Sequence, residues 1–121
     1  MPDLHALALD GRLAADEADR ARAADDYGHL VHRLPQAVVY PASAEDVRRV
    51  VRYAAPRLPV APRGRGHSTQ GQAQAAGGLV LDLAGLTALR ELGPGEALVE
   101  AGSTWRALLR QTLPRGLTPR C

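Results

Sequence analysis

The sequence contains no lysine, isoleucine, asparagine or phenylalanine. All 15 basic residues are therefore arginine, set among abundant alanine, glycine and proline, a bias of the kind a GC-rich genome imposes. Arginine content is thus a poor guide to partners. The 13 acidic residues leave a formal net charge of only +2, which predicts neither a nucleic-acid nor a membrane-surface partner. Aromatic residues are scarce at 3%: Tyr27, Tyr40, Tyr53 and Trp105. A single-stranded nucleic-acid binder needs more stacking platforms than that. The one cysteine, Cys121, excludes an internal disulfide framework and any multi-cysteine metal site. No apolar run approaches the ~18 residues of a membrane span. Residues 1–10 lack the basic-then-apolar pattern of an export signal. The expectation is a cytoplasmic protein. Its 121 residues allow one domain or part of one, and 45% hydrophobic with 23% charged residues is ordinary globular composition.

What is present reads as alternating helices and strands. Residues 1–33 form the first unit. Leu4, Leu7, Leu13, Ala14 and Ala18 recur at roughly helical spacing around Gly11, which predicts two short helices or one broken helix. Asp25-Asp26-Tyr27-Gly28 reads as a turn. The second unit, residues 34–121, is more sharply patterned. Ala37–Tyr40 is a β-branched run between Pro35 and Pro41, a strand. Ser43 caps a helix with Glu45 and Asp46 in its first turn, an apolar face of Val47, Val50, Val51 and Ala54, and Pro56 at its end. Further strands are expected at Leu58–Ala61, Leu79–Asp82, Leu89–Leu92 and Ala97–Glu100. Ser103 or Thr104 caps a last helix, Trp105–Leu113, with Leu108, Leu109 and Leu113 inward and Gly116 beyond it. The class is α+β, with α/β-like alternation.

One segment invites chemistry: Arg63-Gly64-Arg65-Gly66-His67-Ser68-Thr69-Gln70-Gly71-Gln72, directly after a strand. Glycines let backbone N–H groups approach an anion closely. Each hydrogen bond to a charged group contributes about 1.5–3 kcal/mol, and arginine can add bidentate contacts. Two familiar phosphate loops do not fit. A P-loop needs Lys where His67 stands and Gly where Ala61 stands. The dinucleotide fingerprint, counted from Gly64, needs Gly where Thr69 stands. Two readings remain open, an anion loop of another kind or a flexible turn. His67 is equally open: a base, a metal ligand, a covalent attachment point, or a surface histidine capping a turn. His29 and His32 are spaced as a metal pair on a helix or as a solvated face. Asp16, Glu17, Asp19, Arg20 and Arg22 read as a solvated salt-bridge face, Trp105 as a packing residue, and Cys121 as a thiol without a role.

The run Arg63-Gly64-Arg65-Gly66-His67-Ser68, followed by Gly71-Gln72-Ala73, closely resembles the FAD-binding signature of cytokinin dehydrogenases. These belong to the vanillyl-alcohol oxidase and p-cresol methylhydroxylase type of flavoproteins. Asp26-Tyr27-Gly28, Leu34–Pro41, Gly77–Asp82 and Gly116–Arg120 resemble the family in order and spacing, so the likeness runs from about residue 10 to the end. The resemblance implies an incomplete FAD-binding domain over residues 34–121, with a small mixed sheet flanked by helices. It implies FAD joined covalently to His67 through the 8α-methyl carbon. Gly64, Arg65, Gly66 and Ser68 would wrap the cofactor, chiefly by backbone N–H groups on the diphosphate, with Gln72 as a further contact and Arg63 a lesser one. The implied activity is oxidative removal of the N6 side chain of an adenine-type cytokinin. Hydride passes to the flavin, and a quinone or dioxygen reoxidises it. In the family the catalytic aspartate lies in a Trp-x-Asp-Tyr run just after the Gly-Leu-x-Pro-Arg block. This sequence stops at Cys121, where that run would begin. The expectation is a truncated piece with the attachment half-site, no catalytic residue and no turnover of its own. The alternatives are another flavin oxidase of this type, acting on an alcohol or sugar, and a stand-alone anion- or nucleic-acid-binding module.

Overall fold

The computed structural model describes residues 3–120, and Cys121 lies outside them. In chain order the elements are a 3-10 turn (Leu4–Ala6), β1 (Arg12–Ala14), α1 (Glu17–Ala23), β2 (Ala37–Tyr40), α2 (Ala44–Ala54), β3 (Val60–Arg63), β4 (Leu79–Asp82), β5 (Leu89–Leu92), β6 (Ala97–Val99), α3 (Trp105–Thr112) and a second 3-10 turn (Leu113–Arg115). Four strands form one mixed sheet in the order β1-β2-β4-β3. β2, β4 and β3 are parallel, and β1 is antiparallel on β2. β5 and β6 form a separate antiparallel pair. This is the α+β architecture, a small mixed sheet flanked by helices, that the sequence predicted. None of the described helices is long and apolar enough to cross a membrane.

Alternation along the two central strands decides which residues meet. Ala37, Val39, Leu79 and Leu81 face α2 and bury Val50 and Ala54. Val38 and Val80 face the other way, onto Ala61, Ala23 of α1 and Ala75. Both central strands are covered on both sides, which is why they read as unbroken apolar runs. α2 is built as its sequence signals predict: the Ser43 hydroxyl accepts the Asp46 N–H at 3.2 Å. The exception is Val51, assigned to its apolar face but 47% exposed.

The first unit has two short helical elements, the first 3-10 turn and α1, as expected, but a strand, β1, stands between them. Leu4, Leu7 and Leu13 do pack on the α2 side of the core, but Leu13 does so as the middle of β1, paired with Val39. The cause is tertiary. Asp46, fully buried at the start of α2, accepts the N–H groups of Asp10 (3.0 Å), Gly11 (2.8 Å) and Ala42 (2.9 Å). A chain held at residues 10 and 11 runs directly onto the free edge of β2. Two smaller differences follow the same logic. β3 begins at Val60, two residues later than expected. In α3, capped by Thr104, Leu113 and Trp105 are exposed at 58% and 68%. Leu113 was expected inward and Trp105 as a packing residue, but among the described residues α3 packs chiefly on the 3-10 turn that follows it. Trp105, Leu108 and Leu117 instead line an apolar cleft of about 510 Å³.

Burial would push the Asp46 carboxyl pKa up, but the three N–H bonds, with Arg49 nearby, hold it below the usual carboxylate range. Its stabilising effect is therefore complete at neutral pH and is lost as pH falls below ~3.9 through the depressed folded value. Asp46→Ala would leave those N–H groups buried without acceptors and cost about 3 kcal/mol at pH 7. Denaturant unfolding of the wild-type and variant gene products checks this; equal midpoints would contradict it.

Candidate functional site

The parallel pairing of β3 with β4 creates a problem that the chain solves with the glycine-rich segment. β3 ends at Arg63, beside Asp82. To begin β4 at Leu79, residues 64–78 must travel back along the sheet. A helix usually makes such a crossover. Here the backbone does so with no helix, lying over the second core face, with Ala75 packed against Val38, Ala61 and Val80. The polar groups of an irregular backbone need partners, and residues 25–36 supply them. The Tyr27 N–H donates to the Gly66 carbonyl at 2.9 Å and the Gly77 N–H to that of Leu34 at 2.9 Å. The buried Gln74 side chain accepts the Arg33 N–H (2.8 Å) and donates to the Val31 carbonyl (2.9 Å).

Asp26 is the centre of this lacing. It is 4% exposed. Its Oδ2 accepts the Ser68 hydroxyl at 2.9 Å and the Gly71 N–H at 2.7 Å, and its Oδ1 accepts the Gly28 N–H at 3.1 Å. Burial alone would raise its pKa, but these bonds outweigh it and hold the carboxyl below the ordinary range. Two glycines make the approach possible. A Cβ on Gly28 would run into the Thr69 carbonyl, and Gly71 has φ +75°, a conformation side chains disfavour. Local pattern shows a turn at Asp25–Gly28, and the family resemblance includes Asp26-Tyr27-Gly28 without a role for Asp26. Asp26 acts across some forty residues of chain, and no local pattern signals such a partner. Gln74 was missed for the same reason.

With the frame held from beneath, the top of the loop stays open. The N–H groups of Gly64 to Thr69 have no acceptor among the described residues. Open space surrounds Gly64, and Arg65 is exposed and forms no ion pair among the described residues. His67 is exposed, its ring edge-on to Tyr27 at 6.1 Å between centroids. The loop sits where β3 ends, at the C-terminal end of the parallel strands, the end at which open α/β sheets bind ligands. An anionic diphosphate matches this donor set. Other predicted residues serve the frame. Arg63 Nη1 donates to the Asp25 carbonyl at 2.7 Å, and its guanidinium fills the space beside Gly66. The Ser68 hydroxyl belongs to Asp26, leaving its N–H for a ligand. Gln72 Oε1 accepts the Gln70 N–H at 2.9 Å.

The remaining candidates are structural. His29 and His32 are not on a helix; they lie 2.8 and 3.6 Å from Asp25, whose pKa is lowered first by the His29 hydrogen bond. No group of three metal-ligating side chains occurs among the described residues. Asp19, expected on a solvated face, is 8% exposed. It is tied to the Tyr40 hydroxyl at 2.6 Å, to Arg12 at 3.0 Å and to Arg22. α1 places it against the end of β2, where the sequence pattern had shown only charge.

The loop and sheet define a cofactor-binding domain, and comparison with known proteins identifies its kind. The chain belongs to the FAD binding domain family, which it matches over residues 35–121. It is 41% identical to cytokinin dehydrogenase 7 of Oryza sativa subsp. japonica, over 98% of this chain and 24% of that protein. It is 38% identical to an uncharacterized oxidoreductase of the fasciation locus of Rhodococcoides fascians, over 92% of this chain and 26% of that one. The resemblance to cytokinin dehydrogenases is thus borne out over nearly the whole chain, which spans about a quarter of the length of these relatives. Among solved structures it superposes on 6-hydroxy-D-nicotine oxidase from Arthrobacter nicotinovorans with a TM-score of 0.77 and 26% identity, over 91% of this chain and 25% of that one. The fold is that of a p-cresol methylhydroxylase-type FAD-binding domain.

Asp26→Ala removes the acceptor shared by Ser68 and Gly71. The loop then loses its shape, and the full gene product should retain at least tenfold less flavin after gel filtration. Because the Asp26 pKa is lowered, FAD uptake by the flavin-free wild-type product should stay flat from pH 8 to pH 5 and fail only as pH drops below the ordinary carboxylate range. Flavin absorbance per protein across that range is the check; wild-type retention in the variant would contradict the assignment.

Proposed function

We propose that this chain supplies the FAD-attachment half-site of a flavin-dependent oxidoreductase that removes the N6 side chain of adenine-type cytokinins. The observation that carries the reading is the run of N–H groups without an acceptor among the described residues around the exposed His67, in a chain 41% identical to a cytokinin dehydrogenase. The backbone N–H groups of Gly64, Arg65, Gly66 and Ser68 hold the diphosphate. Arg65 adds a positive charge, Arg63 fixes the turn from beneath, and the free amide nitrogen of Gln72 is a further donor. His67 would carry the covalent bond to the 8α-methyl carbon of the flavin. When bound, the flavin would supply hydride acceptance from the C–H bond beside the side-chain amine, with a quinone or dioxygen as the final electron acceptor. No residue of this chain is assigned to proton removal from the substrate.

Two measurements on the full gene product test this. Flavin absorbance should survive acid precipitation of the wild type and be lost from the precipitate of His67→Ala. Isopentenyl-adenine should yield adenine and an aldehyde. Oxidation of alcohols or sugars with no attack on isopentenyl-adenine would replace the substrate assignment with that of another oxidase of the same flavoprotein type.

A further inference from the structure

Tyr27 is the aromatic residue that pairs with His67 of the loop, and packing of its own does not explain it. Its side chain is 74% exposed, so it contributes little to the core. Its neighbours are nonetheless fixed on both sides. Asp26 before it is bonded to Ser68 and Gly71, and Gly28 after it lies directly beneath the Thr69 carbonyl. The Tyr27 N–H holds the Gly66 carbonyl, the peptide group leading into His67, at 2.9 Å. The Tyr27 ring then meets the His67 imidazole edge-on, with centroids 6.1 Å apart and planes at 68°. That is within the range of favourable aromatic pairs. An exposed imidazole otherwise moves among several rotamers. The edge-on pair restricts it, and no hydrogen bond to the His67 ring does so among the described residues.

We propose that Tyr27 is the positioning residue for flavin attachment: its ring holds the His67 imidazole in the orientation from which a ring nitrogen reaches the 8α-methyl carbon. The inference rests on His67 being the attachment site. In that step His67 forms a nitrogen–carbon bond. One hydrogen leaves the imidazole and one leaves the methyl group. The two protons and two electrons end on dioxygen, giving hydrogen peroxide. Holding a nucleophile near its attack geometry acts on the rate of this step and not on the affinity for FAD.

The experiment uses the full gene product, incubated with excess FAD in air. Total bound flavin and the fraction surviving acid precipitation are followed with time for wild type, Tyr27→Ala, Tyr27→Phe and His67→Ala. Tyr27→Ala should bind the same total flavin with the same dependence on FAD concentration. Its maximal rate of covalent attachment should fall about three- to tenfold, the size of an aromatic-pair contribution. Tyr27→Phe, which keeps the ring, should attach at the wild-type rate. Attachment at that rate in Tyr27→Ala would overturn the inference. So would loss of total flavin in parallel with covalent flavin, since Tyr27 would then only maintain the loop. Acid-stable flavin in His67→Ala would overturn the underlying attachment site instead, and that outcome is separate from the other two.

Discussion

A buried carboxylate joining two stretches of irregular backbone is the constraint on which the site depends. Asp26 accepts one N–H from its own turn and two donors from the crossover loop. Without an acceptor there, the Ser68 hydroxyl and the Gly71 N–H would be desolvated and unbonded, and the loop would gain by rearranging. With it, the donors beneath the loop are used up and those above it remain free. The loop is thereby divided into a supported side and a binding side. Arg63 makes the same division, since its charge is turned under the loop toward the Asp25 carbonyl rather than out to a ligand.

The sheet explains why such a clamp is needed. A helix in a crossover satisfies its own backbone and covers the sheet with side chains. Residues 64–78 do neither, so their polar groups depend on residues 25–36, and their packing depends on alanines at 23, 61 and 75. The loop presents its own Ala75 to that sheet face, where it meets Val38, Val80 and Ala61, with Ala23 of α1 beside them. The other face, filled by Val50 and Ala54 from α2, is an ordinary strand–helix interface. The result is an open loop, with N–H groups free for a ligand, at the end of the sheet where parallel strands finish.

Much of this was legible in the sequence, and the limits have physical causes. β2, β4, α2 and the β5–β6 pair carry local signals, namely β-branched runs, a serine cap and turn residues, and they form where those signals stand. The run from Arg63 to Gln72 showed by composition that an anion loop was possible. It took the resemblance to a flavoprotein family to choose between that and a flexible turn. β1 was not legible because three residues form a strand only when Asp46 delivers them to the edge of β2. The roles of Asp26, Gln74 and Tyr27 were hidden for the same reason, since each partner lies about forty residues away. Asp19 looked like one charge among several until α1 set it against Tyr40.

The central claim is that the Asp26-supported loop presents His67 to a flavin. The most direct measurement is mass spectrometry of the trypsin-digested full gene product. Cleavage after Arg65 and Arg90 isolates His67 as the one histidine in its peptide. The account predicts that this peptide carries a flavin adduct and that fragmentation places it on His67. An unmodified peptide, or a flavin found on another residue, would contradict it.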